Sequence, residues 1–291
     1  MSAASSPNSA ADPPAAAAAL ATYGAATRRA ARDRMSIAPS CRSAAPTRPE
    51  APVTVHRVIA PPAPLPQPLA RDAPAVGGLT PFSTVDWPGT LAAVVFISGC
   101  PWRCHYCHNA ELQQRAAHYA WDEVRAFLAT RRGLLDGVVF SGGEPLSEPC
   151  LDALADETRA LGFRLGLHTA GIYPRRFAAL LPQLDWVGLD IKADEAGYDG
   201  ITGRRGSARP AQDCLAQLLA SDTAFECRIT WHPDWLDETR LLALATLLSR
   251  RGVRQFVVQN ARSDAAHRPA SRLSVAAEAA LLSMFDFFCV R

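Results

Sequence analysis

The stretch Ala92-Ala93-Val94-Val95-Phe96-Ile97-Ser98-Gly99-Cys100-Pro101-Trp102-Arg103-Cys104-His105-Tyr106-Cys107 joins an unbroken apolar run to three cysteines spaced C-x3-C-x2-C. The run shows no polar alternation. A strand with one wet face alternates, whereas a strand buried on both faces reads as a continuous apolar run and belongs to a parallel sheet covered by helices. Five further strand candidates follow at 137–141, 164–168, 186–191, 225–230 and 255–259, after the first at 92–98. Helical patterns fall between them at 121–130, 149–160, 174–180, 212–220 and 236–250, with a last one at 275–287. This alternation predicts an α/β fold with a parallel sheet and outer helices. Six βα units suit an open, partial (β/α)6 barrel better than a closed eightfold one. Active sites of such barrels gather where strands end and loops begin, and the cysteine triplet follows the first strand on that face.

Three thiolates within eight residues, Cys100, Cys104 and Cys107, suit three irons of a cubane cluster. A cluster held by four cysteines is closed and mainly carries electrons. With three, the fourth iron stays open to bind a small molecule. The triplet alone leaves two other readings. One is a structural zinc with His105 or His108 as fourth ligand. The other is a disulfide with a spare thiol, which the lack of a clear secretory signal disfavours. The remaining cysteines, Cys41, Cys150, Cys214, Cys227 and Cys289, form no second C-x-x-C, so one cluster and no auxiliary cluster is expected. Eight cysteines in this pattern argue for metal and reduced thiols in a cytoplasmic chain.

Composition sets the remaining bounds. The net charge is +2, with no basic pattern that calls for nucleic acid, and no run of 18 apolar residues suggests a membrane span. Residues 1–75 differ in kind: they hold 13 of the 23 prolines and eight arginines against four acids. Such a segment cannot sustain a packed core. It reads as a disordered Pro/Ala/Arg-rich tail before a domain at 76–291. Either an organellar transit peptide or a start codon placed too early, with the true start near Met35 or later, would account for it.

A second motif, Ser141-Gly142-Gly143-Glu144-Pro145, follows the second strand. Two glycines let a ligand approach the backbone closely, and exposed carbonyls with Glu144 offer acceptors to an ammonium group. On its own the motif is also a plain strand-to-helix turn. Together with the triplet it resembles the radical S-adenosylmethionine (SAM) superfamily, and this resemblance implies a partial barrel of the radical SAM type. It also implies one 4Fe–4S cluster on the three cysteines, with SAM chelating the open iron. Gly142, Gly143 and Glu144 would receive the SAM amino group, and Tyr106 would lie by the adenine. An electron from the cluster would cleave the sulfonium to a 5′-deoxyadenosyl radical.

The run Ser83-Thr84-Val85-Asp86-Trp87-Pro88-Gly89 before the first strand and Tyr106-Cys107-His108-Asn109 after it narrow the match. Together they look like the glycyl-radical activating enzymes, most similar to the anaerobic ribonucleoside-triphosphate reductase activating proteins. That likeness runs from about 77 to about 262. It implies a large glycyl-radical enzyme as protein substrate and a reduced flavodoxin- or ferredoxin-like electron donor. Lys192, the one lysine against 29 arginines, ends the fourth strand beside Asp190; the matching pair in the activases lies at the SAM pocket. Arg228 and His232 are candidates for the SAM carboxylate or ribose. His168 and Ala170 depart from the Asp-Thr-Asn-Gly of related activases, which counts against a monovalent-cation site at Asp190 and Thr169. Gln259 and Arg262 end the sixth strand, where a protein substrate could dock, with no role assigned. Two other functions compete: radical SAM chemistry on a small molecule such as a deazapurine precursor, and a zinc-binding, non-enzymatic module.

Overall fold

The computed structural model of the chain describes residues 73–261 and 271–291. Residues 1–72 of the expected tail and Arg262 lie outside the described residues. Eight strands form one sheet in sequence order: β1 (Val76–Ser83), β2 (Ala92–Ile97), β3 (Gly137–Gly142), β4 (Arg164–Thr169), β5 (Trp186–Asp190), β6 (Ala224–Trp231), β7 (Gln255–Asn260) and β8 (Phe287–Val290). Strands β2 to β8 run parallel, each beside the next, and β1 is antiparallel to β2. The sheet curls but does not close, since β1 and β8 are its two edges. The helices are α1 (Trp121–Ala129), α2 (Leu151–Ala160), α3 (Pro174–Leu180), α4 (Glu195–Thr202), α5 (Ala208–Leu219), α6 (Glu238–Arg251) and α7 (Val275–Met284). Among the described residues no helix is long and apolar enough to cross a membrane.

The alternation of side chains along each strand builds two cores. Outward residues such as Ala93, Val95, Val138, Phe140, Leu165, Leu167, Val187, Leu189, Ile229 and Phe256 pack with the helices. Inward residues Ala92, Val94, Val139 and Trp186 close round Trp87 to plug the lumen. Trp87 stacks on Trp186 at 5.8 Å, a pairing worth about 0.5–1.5 kcal/mol beyond its burial. Gly137 and Gly166 make the slot: a Cβ on either would come within 2.8 or 2.9 Å of the Trp87 ring. Nearer the C-terminal ends the inward positions turn polar, with Ser141, His168, Asp190, Arg228, Thr230 and Gln259.

The six expected strands are present, and three elements go beyond the expectation. Strand β1 is hidden in sequence by Gly77, Gly78 and Pro81. The last expected helix, 275–287, ends at Met284, and Phe287–Val290 pairs with β7 instead. Helix α4 contains Gly197 and Gly200, which blur its pattern. It is set by Asp194, whose carboxylate accepts from Gly197 N at 2.9 Å, and is ended by Gly203 at φ +66°. Helix α5 also starts earlier than the expected 212, because Pro210 falls in the first turn, where a missing N–H costs nothing.

Candidate active site

At the C-terminal ends of the strands lies a cavity of about 300 Å³. Cys100, Cys104 and Cys107 line it together with Tyr106, Gly142, Gly143, Asp190, Lys192 and Arg228. The loop that carries the cysteines is pinned at its root. Gly99, at φ +106°, turns the chain off β2, and the backbone N–H groups of Gly99 and Cys100 donate to Leu112 O at 2.7 Å and Gln113 O at 3.1 Å. Cys107 N reaches back to Cys104 O at 3.1 Å, and buried Trp102 anchors the loop edge-on to Tyr198. All three thiols are free. Burial pushes Cys100 up to about 12 and also raises Cys104, against the pull of Lys192. Ligation therefore has to displace protons that burial retains.

This donor set fits a cluster. Among the described residues no three His, Cys, Asp or Glu side chains converge on one ion, whereas a tetrahedral zinc needs thiolates about 2.3 Å from a single centre. Three thiols from one short loop line the same cavity, as a cluster of several irons requires. The phenol oxygen of Tyr106 is buried in the same wall with no hydrogen-bond partner, a polar atom left for a ligand to meet.

The Gly142-Gly143-Glu144 segment is arranged differently from the expectation. Gly142 sits at φ +119°, and a Cβ there would collide with the Ile97 backbone. A Cβ on Gly143 would stand 2.7 Å from Gly99 O and 2.8 Å from Leu112 O. The glycines thus let β3 press against the root of the cysteine loop, which Gly143 N and Glu144 N fasten by donating to Ile97 O and Gly99 O. Glu144 is wholly buried behind the segment and is not among the cavity-lining residues. Its carboxylate accepts from Thr169 Oγ1 at 2.6 Å, Ala170 N at 3.0 Å and Leu146 N at 3.0 Å. Burial raises its pKa to about 7 against these three donors.

Asp190 accepts from Arg228 Nε and Nη2 at 2.9 and 2.7 Å on one oxygen, and from Lys192 Nζ at 3.0 Å on the other. Burial would raise its pKa, but the two cations prevail and hold it well below the usual carboxylate range. Lys192 is raised in turn: burial works against its charge, and Asp190 more than compensates. The Arg228 guanidinium lies across Gly188, where a Cβ would be 2.9 Å away.

His168 faces the lumen beneath the cavity. Its Nε2 lies 2.7 Å from the Asp86 carbonyl and its Nδ1 lies 3.2 Å from Ser141 Oγ. A carbonyl only accepts, so Nε2 carries the proton and Nδ1 accepts from the serine. Burial first, and the nearby Arg228 second, lower its pKa to about 3. His232 is not among the lining residues. It packs on Trp235 at 4.8 Å, and Trp235 stacks on Tyr106 at 4.9 Å, so His232 is linked to the site through Trp235. Gln259 lines the cavity. Thr230 and Trp235 are site-forming residues that the sequence reading missed. Thr230 was findable as the next inward position after Arg228, but Trp235 sits in a turn that no periodicity marks.

The chain belongs to the radical SAM superfamily, whose model matches residues 94–257. Members of this superfamily bind a 4Fe–4S cluster and SAM, and the chain is accordingly a radical SAM enzyme. Its relatives include a provisionally named glycyl-radical enzyme activating enzyme of Methanocaldococcus jannaschii, 26% identical over 175 residues, 56% of this chain and 70% of that protein. The pyruvate formate-lyase-activating enzyme of Clostridium pasteurianum is 36% identical over 128 residues, 41% of this chain. The chain spans about half, 53%, of that clostridial protein's length. Among solved structures, SuiB of Streptococcus suis superposes with a TM-score of 0.53 at 13% identity, over 67% of this chain and 47% of that one. A likeness at that identity bears on the fold alone.

Proposed function

We propose that this protein is a glycyl-radical activating enzyme whose substrate is a glycine in a large partner enzyme, most similarly an anaerobic ribonucleotide reductase. A reduced flavodoxin- or ferredoxin-like protein supplies its electron in the cytoplasm. The observation that carries the reading is one cavity lined at once by the cysteine triplet, the Gly142-Gly143 segment and the Asp190–Lys192–Arg228 group. The likeness to named activating enzymes supports the choice of a polypeptide substrate. Residues 76–291 would be the catalytic domain and 1–75 a tail outside it.

In this reading Cys100, Cys104 and Cys107 hold the cluster. What it supplies when bound is one electron for reductive cleavage of the SAM sulfonium. The protein's part is to bind and orient. Gly142 and Gly143, which line the cavity, would receive the SAM ammonium on their backbone carbonyls. Glu144 keeps that segment in place from behind. Lys192 and Arg228, which together keep one net positive charge beside Asp190, would meet the SAM carboxylate or ribose, and Tyr106 would lie beside the adenine. His232 supports Tyr106 through Trp235.

The test is anaerobic incubation of reconstituted protein with a chemical reductant and SAM. The wild type should release 5′-deoxyadenosine, while Cys104→Ala should lose both the broad absorption near about 400 nm of an iron–sulfur protein and that release. Retention of the full iron content and of SAM cleavage in Cys104→Ala contradicts the assignment. Turnover of a small molecule with no polypeptide partner present favours the deazapurine-type alternative.

A further inference from the structure

Beside the cysteine loop lies a turn that this reading has not used. Residues Thr202 to Ser207 connect α4 to α5 and carry Gly203-Arg204-Arg205-Gly206 at their tip. Both glycines are in the left-handed region, at φ +66° and +71°, so the turn is tight and its two arginines project outward. It is also fixed. Asp199 accepts from Gly206 N and Ser207 N at 2.9 Å each, and Thr202 Oγ1 bonds Ser207 Oγ at 2.7 Å.

The turn is joined to the cysteine loop by its backbone. Arg103 N, between Cys100 and Cys104, donates to Thr202 O at 2.9 Å. The Arg103 guanidinium folds over its own loop, with Nη1 donating to Cys100 O and, at 2.8 Å, to Trp102 O. Arg103, Arg204 and Arg205 are all exposed, and none forms a salt bridge among the described residues. The charge of Arg204 is felt at Tyr173, which also feels Cys100. Asp199 accepts from the backbone N–H groups of Gly206 and Ser207 and from Ser207 Oγ, and it also feels the charge of Arg205, so it offsets part of one arginine's charge and leaves the face net cationic. Residues 76–291 as a whole carry 22 basic and 24 acidic residues, so a cationic face here is a local feature and not a general bias.

We propose that Arg103, Arg204 and Arg205 form the docking face for an acidic one-electron carrier protein. The inference rests on the activating-enzyme reading, which requires an electron to arrive from outside. The carrier is oxidised by one electron and the cluster is reduced by one, with no bond made or broken between the proteins. A cationic patch beside the cysteine loop, held there by the Arg103 N–Thr202 O bond, steers an anionic carrier to that loop, and arginine keeps its charge at any working pH.

The experiment uses the full chain with its cluster reconstituted, reduced flavodoxin as an acidic probe, and dithionite as a small reductant that needs no docking. Stopped-flow absorbance follows cluster reduction, and calorimetry follows binding of oxidised flavodoxin. The double variant Arg204→Glu/Arg205→Glu should slow reduction by flavodoxin about tenfold or more at low salt. It should weaken flavodoxin binding by a similar factor and flatten the salt dependence, with dithionite reduction unchanged. Arg204→Lys/Arg205→Lys should retain most of the rate. Equal flavodoxin rates, binding and salt dependence in the Glu variant overturn the proposal. So does a Glu variant that fails with dithionite as the reductant only when the polypeptide partner is the substrate, which would assign the face to that partner. A wild type that dithionite cannot reduce overturns the activating-enzyme reading itself, and the docking face falls with it.

Discussion

Glu144 and His168 were both legible as unusual polar residues at strand ends, but their roles depend on neighbours no single sequence shows. Glu144 came from a motif that points at a ligand, and the fold turns its carboxylate toward Thr169, Ala170 and Leu146. Glu144→Ala leaves three donors without an acceptor, two of them in buried hydrogen bonds that cost about 1–3 kcal/mol each when lost. The variant should therefore melt well below the wild type even without SAM, as thermal unfolding of the metal-free protein would show. An unchanged melting temperature with weakened SAM binding would instead make Glu144 a direct ligand contact. His168 gives a pH dependence. Its folded pKa of about 3 lies below the ordinary 6.5, so between those values the unfolded chain binds the extra proton. Stability contributed by the neutral ring is present above about pH 6.5 and is lost as pH falls. From pH 6.5 to 5 the loss is about 2 kcal/mol. Denaturant titrations should show that slope in the wild type and a flatter one in His168→Gln. Equal slopes would contradict the buried neutral ring.

At the scale of elements, the strands from β2 to β7 could be read because burial on both faces writes them as continuous apolar runs, as in Ala92-Ala93-Val94-Val95-Phe96-Ile97. Lys192 stood out as the one lysine, Asp190 through its match to the activases and Arg228 as a polar residue at a strand end, and the structure brings the three together. What could not be read is pairing at the sheet edges. Strand β1 is Gly-rich and becomes a strand only against β2, while β8 borrows residues whose local pattern continues a helix. Glycine was the least legible residue. Gly137, Gly166 and Gly188 look like strand weaknesses and are the space for Trp87 and Arg228, and the Gly142-Gly143 pair serves backbone packing. The start of β1 is secured by Ala75, whose N–H donates to Glu148 at 3.0 Å and whose carbonyl accepts from Ser98 N at 2.8 Å. A chain shortened to begin at Ala75 should fold, bind the cluster and cleave SAM. One beginning at Leu91 loses β1 and Trp87, the centre of the lumen plug, and should be insoluble. Loss of folding in the first, by circular dichroism, would show residues before 75 to be structural.

For the molecule as a whole, the open sheet has a consequence. Its edges are linked by side chains and not by a strand ladder: Arg291, after β8, reaches the Val85 carbonyl at 3.4 Å and the wholly buried Glu226 at 3.3 Å. Phe82 and Val85 stand exposed beside that junction, 58% and 68% accessible. In the proposed function a loop of the partner enters past the end of β7 and the Ser83–Gly89 segment. It must bring a glycine Cα to about 3–3.5 Å from the 5′ carbon that abstracts its hydrogen. The central claim is that the hydrogen comes from a polypeptide glycine. The direct measurement is electron paramagnetic resonance after anaerobic mixing of reduced protein, SAM and the candidate ribonucleotide reductase. The account predicts a stable doublet on the partner polypeptide that collapses when its glycine is deuterated at Cα. SAM cleavage with no such doublet, accompanied by turnover of a small molecule, would contradict it.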